Sequence, residues 1–186
     1  MPGYLEGNVL GADRPLPSIY WTEETDMAGL AGVLRQTLDL GYAHHIGRLM
    51  ATGLFALLLA VRPEEVHRGH LAVHVDAVEG VKLPNVIGMS RHADGGFKAS
   101  KPCVATWKHV QRMGNACRSC RFGPAKATGA EACPFTTLHW DFLARHRAFL
   151  SKNARMLLQG KNLDRLPAEV PRETRRRAAS LRAVRE

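Results

Sequence analysis

Three cysteines, Cys117, Cys120 and Cys133, have the spacing of thiolate ligands. Two residues separate the first pair, and the third follows after twelve more, directly before Pro134. Such spacing suits a soft metal or an iron–sulfur cluster, although a closed cluster takes four thiolates. Cys103 is the remaining cysteine, and a zinc-binding module using all four is an alternative reading. A second group is His44-His45, at the wet end of an otherwise apolar helix. Imidazoles there can exchange protons near neutral pH, or simply cap the helix start. Arg48, one turn on, enters a segment apolar enough to bury it. A buried guanidinium needs an anion, and Asp76 is the expected partner.

The elements that must position these groups are helical. Asp26 reads as the N-cap of a helix running to about Leu40, with Met27, Leu30, Val33, Leu34 and Leu38 on one face and Gly41 as its stop. Tyr42 to Ala60 reads as a second helix, apolar nearly all round after Leu49 and so a core element. Pro63 opens a third helix, expected to run to about Ala77. Pro84, Asn85, Gly88, Asp94-Gly95-Gly96 and Pro102 make 79–102 read as a long loop. Further helices are expected over Val104–Met113 and Phe135–Leu150, with a Cys/Gly-rich insert at 114–133 between them. Trp107, Trp140 and Phe142 fall at helical spacing and read as core. No segment has the period of a strand, so the fold class is all-α. From Pro167 the chain turns polar and Arg-rich and reads as frayed helix or tail.

Composition narrows the partners. The chain has 186 residues, 45% of them hydrophobic, enough for a real core. Lys and Arg number 26 against 17 Asp and Glu, a formal net charge of +9. That excess favours nucleic acid first and an anionic membrane surface second. The longest apolar run, Leu49 to Val61, has 13 residues, short of the roughly 20 a membrane span needs. No secretory leader is read at Met1–Glu6. Reduced thiols and a cytoplasmic location are therefore expected.

A set of short motifs, taken in order, adds a resemblance. They are Met-Pro-Gly-Tyr (1–4), Trp-Thr-x-x-Thr-Asp-Met (21–27), Gly-Tyr-Ala-His-His-Ile-x-Arg-Leu-Met (41–50), Val-Asp-Ala (75–77), Leu-Pro-Asn-x-x-Gly-Met-Ser (83–90), Ala-Asp-Gly-Gly (93–96), Ser-Lys-Pro (100–102), Cys-x-x-Cys (117–120), Ala-Cys-Pro-Phe (132–135) and Trp-Asp-Phe-Leu (140–143). Together they resemble the C-terminal part of the iron–sulfur bacterial cryptochromes and photolyases, the photolyase-related proteins. The resemblance implies the later part of a helical FAD-binding domain over 1–156, with the cysteine loop at 114–134, and a basic, partly disordered tail over 157–186. It implies light-driven repair of UV-damaged DNA of the (6-4) type, in a protein monomeric in its full-length form. FAD and a 4Fe-4S cluster are the implied cofactors. Met1 falls at a methionine internal in relatives, which implies a truncated gene and a stretch incomplete as an enzyme by itself.

Site residues follow from the same resemblance. His44 or His45 would be the catalytic acid. Trp21, Arg48, Asp76, Lys82 and Asn85 would surround the flavin. Cys117, Cys120 and Cys133 would hold the metal. Met89, Arg91, Lys98 and Lys101 would meet DNA. The departures are as specific. The first cluster cysteine of the family corresponds to Gly29, and a Trp-Tyr pair corresponds to Gly69-His70. Gly80 replaces another family aromatic, and Lys82 stands where the family has an acidic residue. These departures favour the alternative of a non-catalytic nucleic-acid-binding or cryptochrome-like descendant without flavin.

Overall fold

One long apolar run, Leu49–Val61, and the lack of period-two alternation elsewhere favour helices over strands. The computed structural model describes residues 3–112 and 114–183, without the side chains of Lys108 and Val110. Met1 and Pro2 of the first motif, Met113 at the expected helix end and residues 184–186 lie outside them. Among the described residues the only extended pairings are two isolated bridges, Arg14 with Val61 and Gly123 with Ala132. The all-α expectation holds. The chain forms two units, one of residues up to Val104 and the other from Ala105.

In the first unit, a short helix α1 (Ile19–Thr22) precedes α2 (Ala28–Leu40). α2 begins one residue beyond Met27, not at Asp26, and buries Leu30, Leu34 and Thr37 along one face. Gly41 ends it with φ 58°. A Cβ there would lie 2.7 Å from Val75 Cγ1, so the stop demands glycine twice over. The expected core helix forms, but its first half is a π-helix, Gly47–Gly53, which runs on into α3 (Leu54–Leu59). Every residue of α3 is buried. Such wide turns are uncommon and gather at functional sites.

α4 (Pro63–Val73) carries Pro63 in its first turn, as read, but ends four residues before Ala77. The expected loop at 79–102 is a correction. Its first half is helical: α5 (Glu79–Leu83), then a second π-helix, Pro84–Ser90. The turn-forming residues Pro84, Asn85 and Gly88 misled the reading. Pro84 sits at a helix start, where its missing N–H costs little. Val86 and Ile87 are buried at 1% and 0% exposure, and that burial holds the segment in helix. The two π-helices meet where Gly53 faces Ser90; a Cβ on Gly53 would come within 2.3 Å of Ser90 Oγ.

Past the π-helix the loop is tied by Asp94. Its carboxylate accepts from Tyr4 Oη at 2.8 Å and from the backbone N–H groups of Gly96 and Lys98 at 3.1 Å each. Gly88 fits beneath this knot: a Cβ would meet Tyr4 Oη at 2.7 Å and Asp94 Oδ2 at 2.8 Å.

The second unit is organised on α7 (Pro134–Arg145). α6 (Trp107–Gln111) and a 3-10 turn (Ala116–Arg118) precede it. After it come α8 (Arg147–Leu150), α9 (Leu157–Asp164) and α10 (Glu169–Ala183). The single helix expected to Leu150 is thus interrupted at His146. Phe135, Leu138, Phe142 and Leu143 fill the core of this unit, and Trp107 is 5% exposed with its ring 4.3 Å from Phe135. The reading of these aromatics as core holds for Trp107 and Phe142; Trp140 is half-buried. The Arg-rich segment read as a tail contains α9 and α10. Thr174 and Ala178, four apart, give α10 a narrow seam buried at 1% and 0% exposure. A period-of-apolar reading misses so small a seam.

Candidate functional site

The residues of interest in the first unit converge on the joint between α4 and the first π-helix. Arg48, in the second position of that π-helix, is 7% exposed. It donates through Nη1 and Nη2 to the two oxygens of Asp76 at 2.8 and 2.9 Å, and through Nε to the Ala43 carbonyl. The pairing inferred from sequence is present. Lys82 Nζ lies 3.5 Å from Asp76 Oδ1. Two cations thus share one carboxylate, leaving net positive charge. The hydrogen bond from Arg48 is the largest cause holding the Asp76 carboxyl below its usual range. Burial, then repulsion by Arg48, lowers the Lys82 ammonium.

Beside this group a shallow apolar pocket opens between α1, α2 and α4. Tyr20, Trp21, Leu34, Val66, His70 and His74 line it. Trp21 forms its lip at 46% exposure. Tyr20 is buried and donates from Oη to the Thr52 carbonyl at 2.7 Å, which ties the wall to the π-helix. His70 and His74 stand one turn apart with ring centroids 5.0 Å apart. Burial is the first cause that pushes His70 down to about 3 and lowers His74; the Arg48 and Lys82 charges push both the same way. Both shifts favour the neutral imidazole. His74 Nε2 is buried with no partner among the described residues, as are both ring nitrogens of His67.

This histidine stripe, His67, His70 and His74, was not singled out from sequence. Its signal was visible as a spacing of three and four on a helix. Gly69 is explained by the same pocket. A Cβ there would lie 2.8 Å from Leu16 Cδ2 and 3.7 Å from the Trp21 ring. The place the resemblance gives to an aromatic is occupied here from across the pocket by Leu16.

Other sequence candidates stand apart from this group. His44 and His45 are exposed, their rings tilted at 43° with centroids 4.4 Å apart, and His44 Nδ1 accepts from the Ile46 N–H at 3.4 Å. That contact is the capping role weighed from sequence. Asn85 is turned to its own helix, donating from Nδ2 to the Val81 carbonyl at 3.0 Å. Met89, Lys98 and Lys101 are exposed. Arg91 requires correction as a DNA contact. It is 1% exposed and donates to the carbonyls of Gly53 and Val61. A guanidinium buried and engaged in this way fastens the ends of the first π-helix and α3, and does not reach a phosphate.

In the second unit Cys117 lies within the 3-10 turn and Cys120 just past it, with the Cys120 N–H donating to the Cys117 carbonyl at 3.4 Å. Cys133 is the N-cap of α7, 3% exposed, its N–H donating to the Lys126 carbonyl at 2.9 Å. Trp107 Nε1 donates to Cys117 Sγ. Burial raises the Cys117 thiol, and pushes Cys133 up to about 11. Among the described residues no three His, Cys, Asp or Glu side chains are gathered as a metal set. Gly29 and Cys103 both belong to the first unit. The second unit offers three thiols to a cluster that takes four thiolates, so its donor set does not by itself fit a closed cluster.

No family model matches the chain. A (6-4) photolyase of Agrobacterium fabrum is 46% identical to it over 179 residues, 96% of the chain. The chain is photolyase-related. The match takes in 35% of that relative, so the chain spans about a third of its length. The helical architecture fits the helical part of a photolyase. Among the described residues no helix is long and apolar enough to cross a membrane.

Proposed function

We propose that this photolyase-related chain forms the flavin-facing and lesion-facing part of a light-driven DNA repair protein acting on (6-4) photoproducts. The observation that carries the proposal is the Arg48–Asp76–Lys82 group beside the Trp21-lipped pocket. The aromatic, imidazole and cationic side chains there are of the types that suit the ring end of FAD. An aromatic wall and neutral imidazoles accept a flat heteroaromatic face, and the net positive triad suits a reduced ring that carries negative charge. When bound and excited, reduced flavin supplies the electron. The chain's own residues do the rest. Trp21 and Tyr20 exclude water from one side. Arg48 holds Asp76 in a fixed bidentate geometry. His44 or His45, at the exposed end of the helix, would be the acid. Met89 offers an apolar contact for an extruded base, and Lys98 and Lys101 contact backbone phosphates of damaged DNA.

In this reading Cys117, Cys120 and Cys133 supply three of the four thiolates a closed cluster takes, and no step is routed through a cluster. The test adds FAD to the purified chain and follows quenching of flavin fluorescence, then irradiates the loaded protein with an oligonucleotide carrying a (6-4) lesion. Quenching that R48M and D76N both weaken supports the reading. Absence of quenching, with damaged DNA still bound, would favour the flavin-free nucleic-acid module, a reading encouraged by Leu16 closing over Gly69.

A further inference from the structure

The cysteine loop is held by an element that the motif itself does not contain. Arg177 of α10 reaches into the loop and donates to the carbonyls of Gly129 at 2.7 Å and Ala132 at 3.2 Å. Glu173, one turn earlier, accepts the Gly129 N–H at 3.2 Å. Gly129 has φ 86°, so the turn held from both sides is one that glycine makes easily. Ala132 is the residue directly before Cys133 and is fully buried. α10 is in turn fixed to α7 through Thr174 and Ala178, and through Arg182, which pairs with the buried Asp141 alongside Arg145. The basic helix is therefore amphipathic in an unusual sense. One side inserts guanidinium groups into carbonyls and a carboxylate, while Arg172, Arg175 and Arg176 face solvent.

We propose that α10 is a strap that sets the position of Cys133, with Arg177 and Glu173 as positioning residues for the cysteine loop. Two carbonyls aimed at one guanidinium fix the 129–132 turn, and the chain direction leaving that turn fixes the N-cap of α7 where Cys133 sits. The Cys133 thiol is thereby kept buried against α7, and its place relative to Cys117 and Cys120 is set from outside the motif. The inference rests on the cysteine loop being the working part of this unit, as proposed above, but not on any metal being bound.

The test is site-resolved alkylation of the whole chain with iodoacetamide, read by mass spectrometry at each cysteine. R177A removes a charged donor from two carbonyls, and Cys133 is expected to react roughly tenfold faster. Cys103 keeps its wild-type rate, and the solvent-facing R176A leaves all rates unchanged. R177A with a wild-type Cys133 rate overturns the proposal. If R177A speeds Cys103 as well, the fold has loosened generally and R177K and E173Q decide. Cys133 alone accelerating in either supports the strap, and no selective change in both overturns it. Because the readout needs no metal, failure of the ligand assignment would leave this result standing, and the reverse holds.

Discussion

Arg48 and Arg91 show how differently two buried arginines can be used. Arg48 is paired with a carboxylate that is itself 46% exposed, so removing each partner has unequal effects. D76N strands a buried guanidinium and is expected to destabilise the chain by about 1–2 kcal/mol. R48M leaves Asp76 free to take up water and is expected to cost less; urea midpoints of both variants check the order. Among the described residues the hydrogen-bond partners of Arg91 are carbonyls. R91M should lower stability by about 2–3 kcal/mol, since two buried carbonyls lose their donor. Its DNA affinity per folded molecule should stay unchanged. K98A and K101A should do the opposite, leaving the urea midpoint within about 0.5 kcal/mol and flattening the salt dependence of DNA binding. Binding titrations at two salt concentrations separate the cases. The Arg48–Asp76 pair was legible in sequence because an apolar helix that buries a cation compels an anion. Arg91 was not, because carbonyl oxygens are available on every residue and leave no trace in side-chain types.

The helices themselves were legible to differing degrees. The six-residue run Leu54-Phe55-Ala56-Leu57-Leu58-Leu59 left little choice but a buried helix, and Pro63 and Gly41 marked their boundaries correctly. The second π-helix was hidden because its Pro, Asn and Gly are ordinary turn formers, and only tertiary burial of Val86 and Ile87 overrides them. α10 was hidden because its contacts with α7 use Thr, Ala and Arg instead of a hydrophobic stripe. The contact between the two π-helices gives a test at this scale. G53A places a methyl group against Ser90 Oγ and the Arg48 carbonyl, and should destabilise by about 1–3 kcal/mol. Adding S90A should recover part of the loss, because it removes the nearer of the two obstacles. Thermal melts of the single and double variants measure the coupling.

Across the whole molecule, buried neutral histidines set the response to acid. His70 falls to about 3 and His139 to about 4, both chiefly through burial. An unfolded chain would protonate these side chains near 6.5, so below that pH the unfolded state binds more protons than the folded one. Their contribution to stability is complete above about pH 6.5 and is lost as the pH falls toward 4. Urea midpoints at pH 7, 6 and 5 should decline in that order, and H139F should flatten the decline. Charge at this scale also reads differently once the arginines are located. Of the excess that suggested nucleic acid, Arg48 and Arg91 are buried, and the half-buried Arg177 and Arg182 are engaged by carbonyls and a carboxylate. The cationic surface offered to a polyanion is smaller than composition implies. Gly69 and Leu16 carry the last consequence. A side chain added at 69 would meet the Leu16 methyl group at 2.8 Å, so that leucine must swing aside to admit it, and a smaller residue at 16 would make the room in advance.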